Sequence, residues 1–327
     1  MSGDIRLTTS FNARYPDRTA SGMIPVSVII PTYNRSAFLK RTLEQVLRQA
    51  YPSFEVIVVD QTDRHPPEIA KFLASIRARI RYVRTETACG TRAKNLGMNV
   101  AHGEVILCLD DDVDLPCDFI STHMRNYASA GVCAVAGRII SSRSRGRPEP
   151  KRCGEVTWYG HVISNFYATR RRSVTHGGGG NLSFLRKQAL RCGGFDEQFA
   201  GSQLREETDF CLRYLEFGDG RMVFEPEAVV FHHAAPVGGC RVSDQAADPL
   251  TYANEFYFWL KHCDVRLVPY FVLNLFVRFF ILRGRFGAAG YWRTMPRKLL
   301  ALVQGIRMGM GLYRKSCRGA GSAGRNG

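Results

Sequence analysis

The feature that most restricts this chain is an apolar run, VILCL, that ends in three consecutive aspartates, Asp110, Asp111 and Asp112. A strand that is apolar at every position is buried on both faces, the pattern of a parallel sheet covered by helices. Carboxylates side by side at its end repel one another. Either they form a solvated acidic loop, or something positive belongs there.

Neighbouring stretches carry the same pattern. VSVIIP (26–31) is apolar, largely β-branched and stopped by proline, EVIVVD ends at Asp60, and a short strand is expected near IRYVR. Between these, AFLKRTLEQVLRQA and TRAKNLGMNVAHG carry apolar residues at helical spacing, and a further helix is expected after HPPE. Strands alternating with helices predict βαβ units: an α/β, Rossmann-like, mostly parallel central sheet flanked by helices. Ligands on such sheets bind beyond the carboxyl ends of the strands. Thr32 to Arg35, Asp60 and the three aspartates should therefore converge on one rim. No GxGxxG follows the first strand, so the dinucleotide fingerprint is missing.

With 327 residues and 45% hydrophobic content the chain can bury a substantial core. Its net charge of +16 is unevenly placed: residues 265–327 hold 12 Lys or Arg and no acid, whereas the first 264 hold 33 basic and 29 acidic side chains. That distribution argues against a globally basic nucleic-acid binder. Ten cysteines occur without Cys-x-x-Cys or zinc-like spacing, as expected of buried thiols in a reducing compartment. Residues 1–22 are polar and lack a signal-peptide pattern, which predicts a loose tail and a cytoplasmic catalytic region.

VSVIIPTYNR, VIVVDQTD, TRAKNLGMNVAHGEVILCLDDDV, GGNLSFLRKQALRCGGFDE and EETDF, in this order and spacing, resemble family 2 glycosyltransferases of the GT-A fold over roughly residues 25 to 235. The resemblance implies a flexible tail at 1–24 and a catalytic domain at 25–245, its nucleotide part at about 25–115 and its acceptor part at 116–245. A C-terminal amphipathic helical extension at 246–327 completes the division. It also implies a metal-dependent, inverting transfer from a nucleoside-diphosphate sugar, with a UDP-sugar the expected donor, to a glycan or lipid-linked acceptor in cell-surface polysaccharide or glycolipid synthesis.

Residue by residue, Asp110 and Asp112 match the outer aspartates of the family's metal motif, for Mn2+ or Mg2+, and Asp111 fills the variable place. Val113 stands where a further Asp is usual. Pro31, Thr32, Tyr33, Arg35 and Asp60 match the loop and strand end that hold the base and ribose. Arg92 and Lys94, near a helix start, match phosphate-binding positions, together with Asp110 and Asp111 on the donor side. Aligning REETDF puts Glu207 in the place of the catalytic base, with Glu206 and Asp209 on the acceptor side. Gly179, Gly180 and Asn181, in HGGGGN, are expected where backbone approaches donor sugar and acceptor. His232 matches a metal- or diphosphate-contacting histidine, with His233 as the alternative. A nucleotidyltransferase would use similar parts, but PTYNR lacks the glycine its phosphate loop needs; a catalytically inactive scaffold is the other rival.

The segment LVPYFVLNLFVRFFIL (267–282) is apolar but only sixteen residues long, short of the ~20 needed to span a bilayer. Basic and aromatic residues follow it. The pattern predicts helices lying on an anionic membrane surface, on its cytoplasmic face.

Overall fold

The computed structural model describes residues 23–86, 88–235, 237–240, 244–277 and 295–323. The expected tail at 1–22 and the end of the apolar segment, 278–282, lie outside these residues.

Four strands form the parallel half of the sheet: β1 (Val26–Thr32), β2 (Phe54–Asp60), β3 (Arg81–Arg84) and β4 (Val105–Leu109), in the order β3-β2-β1-β4. Each crossover carries a helix, as right-handed βαβ units require: α1 (Ser36–Val46), α2 (Pro67–Ser75) and α3 (Gly90–Val100). Beyond β4 the sheet becomes mixed. β5 (Val113–Asp114) is a two-residue strand, followed by α4 (Phe119–Arg125), β6 (Val132–Ile140), the small hairpin β7 (Glu155–Val156) and β8 (Val162–Ile163), and β9 (Arg172–Val174). β10 (Asn181–Leu185) runs antiparallel between β4 and β6, and β11 (Arg221–His232) lies parallel to β6 and antiparallel to both β5 and β9. The expected parallel arrangement thus holds for the first half of the sheet. Past β4 the sheet is mixed: β10 runs antiparallel between β4 and β6, whereas β6 and β11, linked through α5 and α6, are parallel to each other.

The core is continuous from β1 through β4 to β6 and β10, with Ile29, Ile30, Leu107, Cys108 and Phe184 wholly buried. The helices α5 (Arg186–Arg191) and α6 (Glu206–Phe217) follow β10, with Phe210 and Tyr214 packed on Phe184. Then come α7 (Pro249–His262), α8 (Val268–Phe276) and α9 (Met295–Ala323). Tyr252, Phe256 and Trp259 of α7 share a second cluster with Phe271 and Leu275 of α8 and Ala301 and Leu302 of α9. A Cβ at Gly305 would lie 2.5 Å from the Pro249 carbonyl, so this helix packs closely through small residues. Its larger apolar residues Leu299, Leu300 and Val303 are consequently exposed, as are Tyr270, Leu273 and Phe276 of α8. No helix of the described residues is long and apolar enough to cross a membrane.

Candidate active site

The rim expected from the sequence exists, and a cleft of about 240 Å³ lies along it. Pro31, Thr32, Tyr33 and Arg35 line one side, Asp110 and Asp111 the floor, and Lys94, Glu206 and Glu207 the far wall. The order of the strands explains the convergence: β1 and β4 are neighbours, so the loops after them emerge side by side.

The three aspartates have separate surroundings. Asp111 turns inward, accepting hydrogen bonds from Thr32 Oγ1 at 2.6 Å and Arg35 Nη1 at 3.0 Å. Burial pushes its carboxyl up to about 6, against those two donors. It therefore ties the loop after β1 to the floor of the cleft. Asp112 is also buried, but its Oδ2 accepts the Ala235 N–H at 2.8 Å, and Arg35 Nη1 lies 3.4 Å away. Burial raises its pKa, yet His232 and Arg35 outweigh that and hold the group well below the usual carboxylate range. Asp110 remains partly exposed at the cleft.

His232 reaches the same point from the end of β11. The ladder that pairs Val113 with His232 brings its Nε2 to 3.2 Å from Asp112 Oδ1 and 3.6 Å from Asp110 Oδ2. One ligand atom each from Asp110, Asp112 and His232 lies within 4.8 Å of the others. Two carboxylate oxygens and an imidazole at this spacing fit a hard divalent cation such as Mn2+ or Mg2+. Val113, where a further aspartate is usual, is a buried strand residue; its contribution is the ladder that delivers His232. His233 is committed elsewhere, with Nε2 2.8 Å from Asp114 Oδ2.

On the far wall, three acidic residues of one helix turn part company. Glu206 is buried and ion-paired with Lys94. Burial and the nearby Glu207 raise its pKa, while Lys94 pulls it down. Asp209 points to the opposite side of α6, 2.6 Å from Lys261 Nζ, 2.8 Å from His262 Nε2 and 2.8 Å from Arg213 Nη2. Glu207 is half-buried, lines the cleft, and has no hydrogen-bond or ion-pair partner among the described residues. The start of α6 is itself clamped from α7. Arg205, in the left-handed region at φ 81°, donates to both carboxylate oxygens of buried Glu255 at 2.8 and 3.1 Å. Glu255, Lys261 and His262 all belong to α7, so the helix that follows the family-like region holds the wall of the cleft in place.

The glycine segment closes the site. Asp110 N–H donates to the Gly180 carbonyl, and a Cβ at Gly180 would collide with the Asp110 carboxylate. A Cβ at Gly179 would lie 2.8 Å from Lys94 Nζ and 3.4 Å from Glu207 Cβ.

Four residues expected at the site lie away from the walls of this cleft. Arg92 is exposed and paired with Glu197 at 3.3 Å, away from the cleft; it lies two residues from Lys94, and helix positions two apart face different sides. The same spacing removes Asp209 from Glu207's side. Asn181 is buried, donating to the carbonyls of Arg138 and Ala228 and bonding His123 Nε2 at 2.8 Å, so it stitches the sheet rather than facing an acceptor. Asp60 is wholly buried and does not line the cleft; it accepts from Tyr82, bonds His65 and accepts the Thr62 N–H at 2.7 Å. Lys94 does reach the cleft, but as the partner of Glu206. Missed were Gln61, Gly90 and Gln203, close in sequence to residues that were named, and Gly239 and Cys240, which line the cleft from the segment after β11.

Comparison with known proteins agrees with this architecture. The model of the glycosyl transferase family 2 matches residues 27–194. A glucosyl-dolichyl phosphate glucuronosyltransferase of Haloferax volcanii is 25% identical over 217 residues, 63% of this chain and 68% of that protein. Among solved structures, the mannosyltransferase PcManGT of Pyrobaculum calidifontis, in complex with GDP-Man and Mn2+, superposes with a TM-score of 0.54 at 18% identity, over 94% of this chain and 82% of that one. GalNAc-T7 with UDP, GalNAc and Mn2+ gives 0.55 at 15% identity, over 72% of this chain and 47% of that one.

Proposed function

Because this chain belongs to glycosyl transferase family 2 and is a glycosyltransferase, we propose that it transfers sugar with inversion, using a nucleoside-diphosphate sugar and a hydroxyl of a glycan or lipid-linked acceptor. The observation that carries this reading is the contrast within α6: Glu206 and Asp209 are spent on ion pairs, and Glu207 is left without one at the cleft wall. In that position Glu207 takes the acceptor's hydroxyl proton as its oxygen bonds to the anomeric carbon. The bond from that carbon to the phosphate oxygen breaks, and its electron pair leaves with the nucleoside diphosphate. Asp110, Asp112 and His232 would hold a divalent cation, which would supply positive charge against the departing diphosphate. Asp111 and Arg35 hold the loop after β1 in place for the nucleotide, and a UDP-sugar is the expected donor.

The test is a panel of UDP-, GDP- and dTDP-sugars with Mn2+, read by thermal shift and by nucleotide release. One donor class should raise the melting temperature by mass action and release nucleoside diphosphate slowly even without acceptor. No shift and no release with any of them refutes the reading, and release of pyrophosphate instead would favour nucleotidyl transfer.

The acceptor's setting is proposed from the other end of the chain. Tyr270, Leu273 and Leu300 are exposed on α8 and α9 beside Arg266 and Arg297, a combination suited to an anionic bilayer surface. The full chain should float with anionic liposomes, and Tyr270→Ser/Leu273→Ser should stay in the soluble fraction. Equal flotation of both proteins would remove the membrane from the proposal.

A further inference from the structure

A second concavity lies on the other side of the glycine segment. It holds about 270 Å³ and is lined by Ile139, Ser141, Arg143, Arg147, Phe166 and Tyr167, among others. Its position follows from strand register. Ile140 pairs with Phe231 at the ends of β6 and β11, one residue before His232, so the loop that begins at Ser141 leaves the sheet on the same rim as the candidate metal site. The glycine segment is the shared wall. A Cβ at Gly178 would touch Ile139 Cδ1 at 2.5 Å and Phe166 at 3.5 Å, both groove residues, whereas one at Gly179 would face Glu207. Adjacent Cα atoms are only ~3.8 Å apart, so groove and Glu207 are separated by little more than one thickness of backbone.

Charge marks this groove out. Residues 138–172 contain nine basic and two acidic side chains, in a catalytic region otherwise close to balance. Some of these cations are satisfied internally: Arg172 by Glu149 at 2.6 Å, Arg152 by Glu155 at 2.7 Å and Arg171 by Glu225 at 3.1 Å. Arg143, Arg145, Arg147 and Lys151 are exposed and have no ion pair with a carboxylate among the described residues. Arg147 stands over the Tyr167 ring at 5.9 Å, which holds its guanidinium at the groove. Arginine forks suit phosphate and carboxylate, and aromatic faces beside polar side chains suit a sugar ring.

We propose that this groove is an acceptor subsite that takes an anionic group, phosphate or carboxylate, carried by the acceptor glycan near the hydroxyl that receives the sugar. The proposal rests on the transferase reading above, with Glu207 as the base. It makes the acceptor a charged glycan, and it assigns Arg143 and Arg147 the role of selecting it. Neutral acceptors leave these cations unpaired and lose the charge-assisted bonds.

The experiment is calorimetric titration of the full chain with a neutral disaccharide, its uronic-acid counterpart and its phosphorylated counterpart, at fixed moderate salt because surface charge is screened. At least one anionic form should bind about tenfold or more tightly than the neutral one. Arg143→Ala/Arg147→Ala should abolish that preference while leaving Mn2+-dependent donor hydrolysis unchanged. Equal binding of charged and neutral sugars overturns the proposal, as does a preference that survives the double substitution. Loss of donor hydrolysis in the variant overturns it too, by assigning the arginines to the donor diphosphate. Dependence on anionic liposomes alone, with no preference among soluble sugars, overturns it in favour of a lipid surface. If the wild-type protein shows the charge preference but hydrolyses no donor, the transferase reading fails and the anion site stands.

Discussion

Asp112→Asn should abolish sugar transfer and Mn2+ binding together while leaving the protein folded. The side chain is buried, and one oxygen accepts the Ala235 N–H at 2.8 Å while the other faces His232 at 3.2 Å. Asparagine can keep the bond to Ala235 with its carbonyl oxygen, so the closing segment after β11 stays in place. What it loses is the charge. A cation's stabilisation of a leaving diphosphate is worth several kcal/mol, and each ~1.4 kcal/mol is tenfold in rate; a fall of about 10³-fold or more is expected. Bound Mn2+ can be counted by electron paramagnetic resonance in the absence of any substrate, which separates the loss of the site from a loss of catalysis. Asp114→Asn is the control, because Asp114 is engaged by Arg41, Gln45 and His233 outside the cleft. Undiminished Mn2+ binding by Asp112→Asn would place the cation elsewhere.

Glu207→Gln should lose transfer by ~10²–10⁴-fold, the usual contribution of a positioned general base. Donor binding should persist, since the substitution keeps size and hydrogen-bonding capacity. The informative comparison is Glu206→Gln. Glu206 is the buried partner of Lys94, so its replacement leaves an uncompensated buried ammonium and should destabilise the protein by roughly 3–5 kcal/mol. Glu207 has no such partner, and its variant should melt close to wild type. The pair of results, activity lost without stability for one and stability lost for the other, separates the base from its support. Transfer by Glu207→Gln at the wild-type rate would move the base to another residue.

The contrast between these two glutamates also shows how far the chain could be read without its fold. The apolar strands, their polar ends and the helices between them were legible because each is a local pattern: β-branched runs, helical spacing, proline and glycine stops. Once four such strands alternate with helices, a parallel sheet with its polar ends on one rim follows from packing alone, and Asp110, Asp112, Thr32 and Arg35 are placed there by the local sequence. The motif order added His232 and Glu207. Even the exclusion of Arg92 from the cleft was available, since a helix cannot turn both Arg92 and Lys94 to one side.

Other assignments depended on partners brought together from far along the chain. Asp60 ends its strand at the expected point, yet Tyr82 and His65 close over it. Asp209 is paired with Lys261 and His262 of a helix more than fifty residues away, and Asn181 donates to carbonyls of two separate strands. A carboxylate's role depends on whether an opposing charge and a desolvated setting already claim it, and that is a property of long-range packing. By itself, then, the sequence determined the parallel half of the sheet, its rim and the cluster of acids on it. Only the tertiary structure decided which acids are occupied in holding the fold and which remain available for chemistry, because ion pairs and burial are set by residues that meet in space and not by neighbours along the chain.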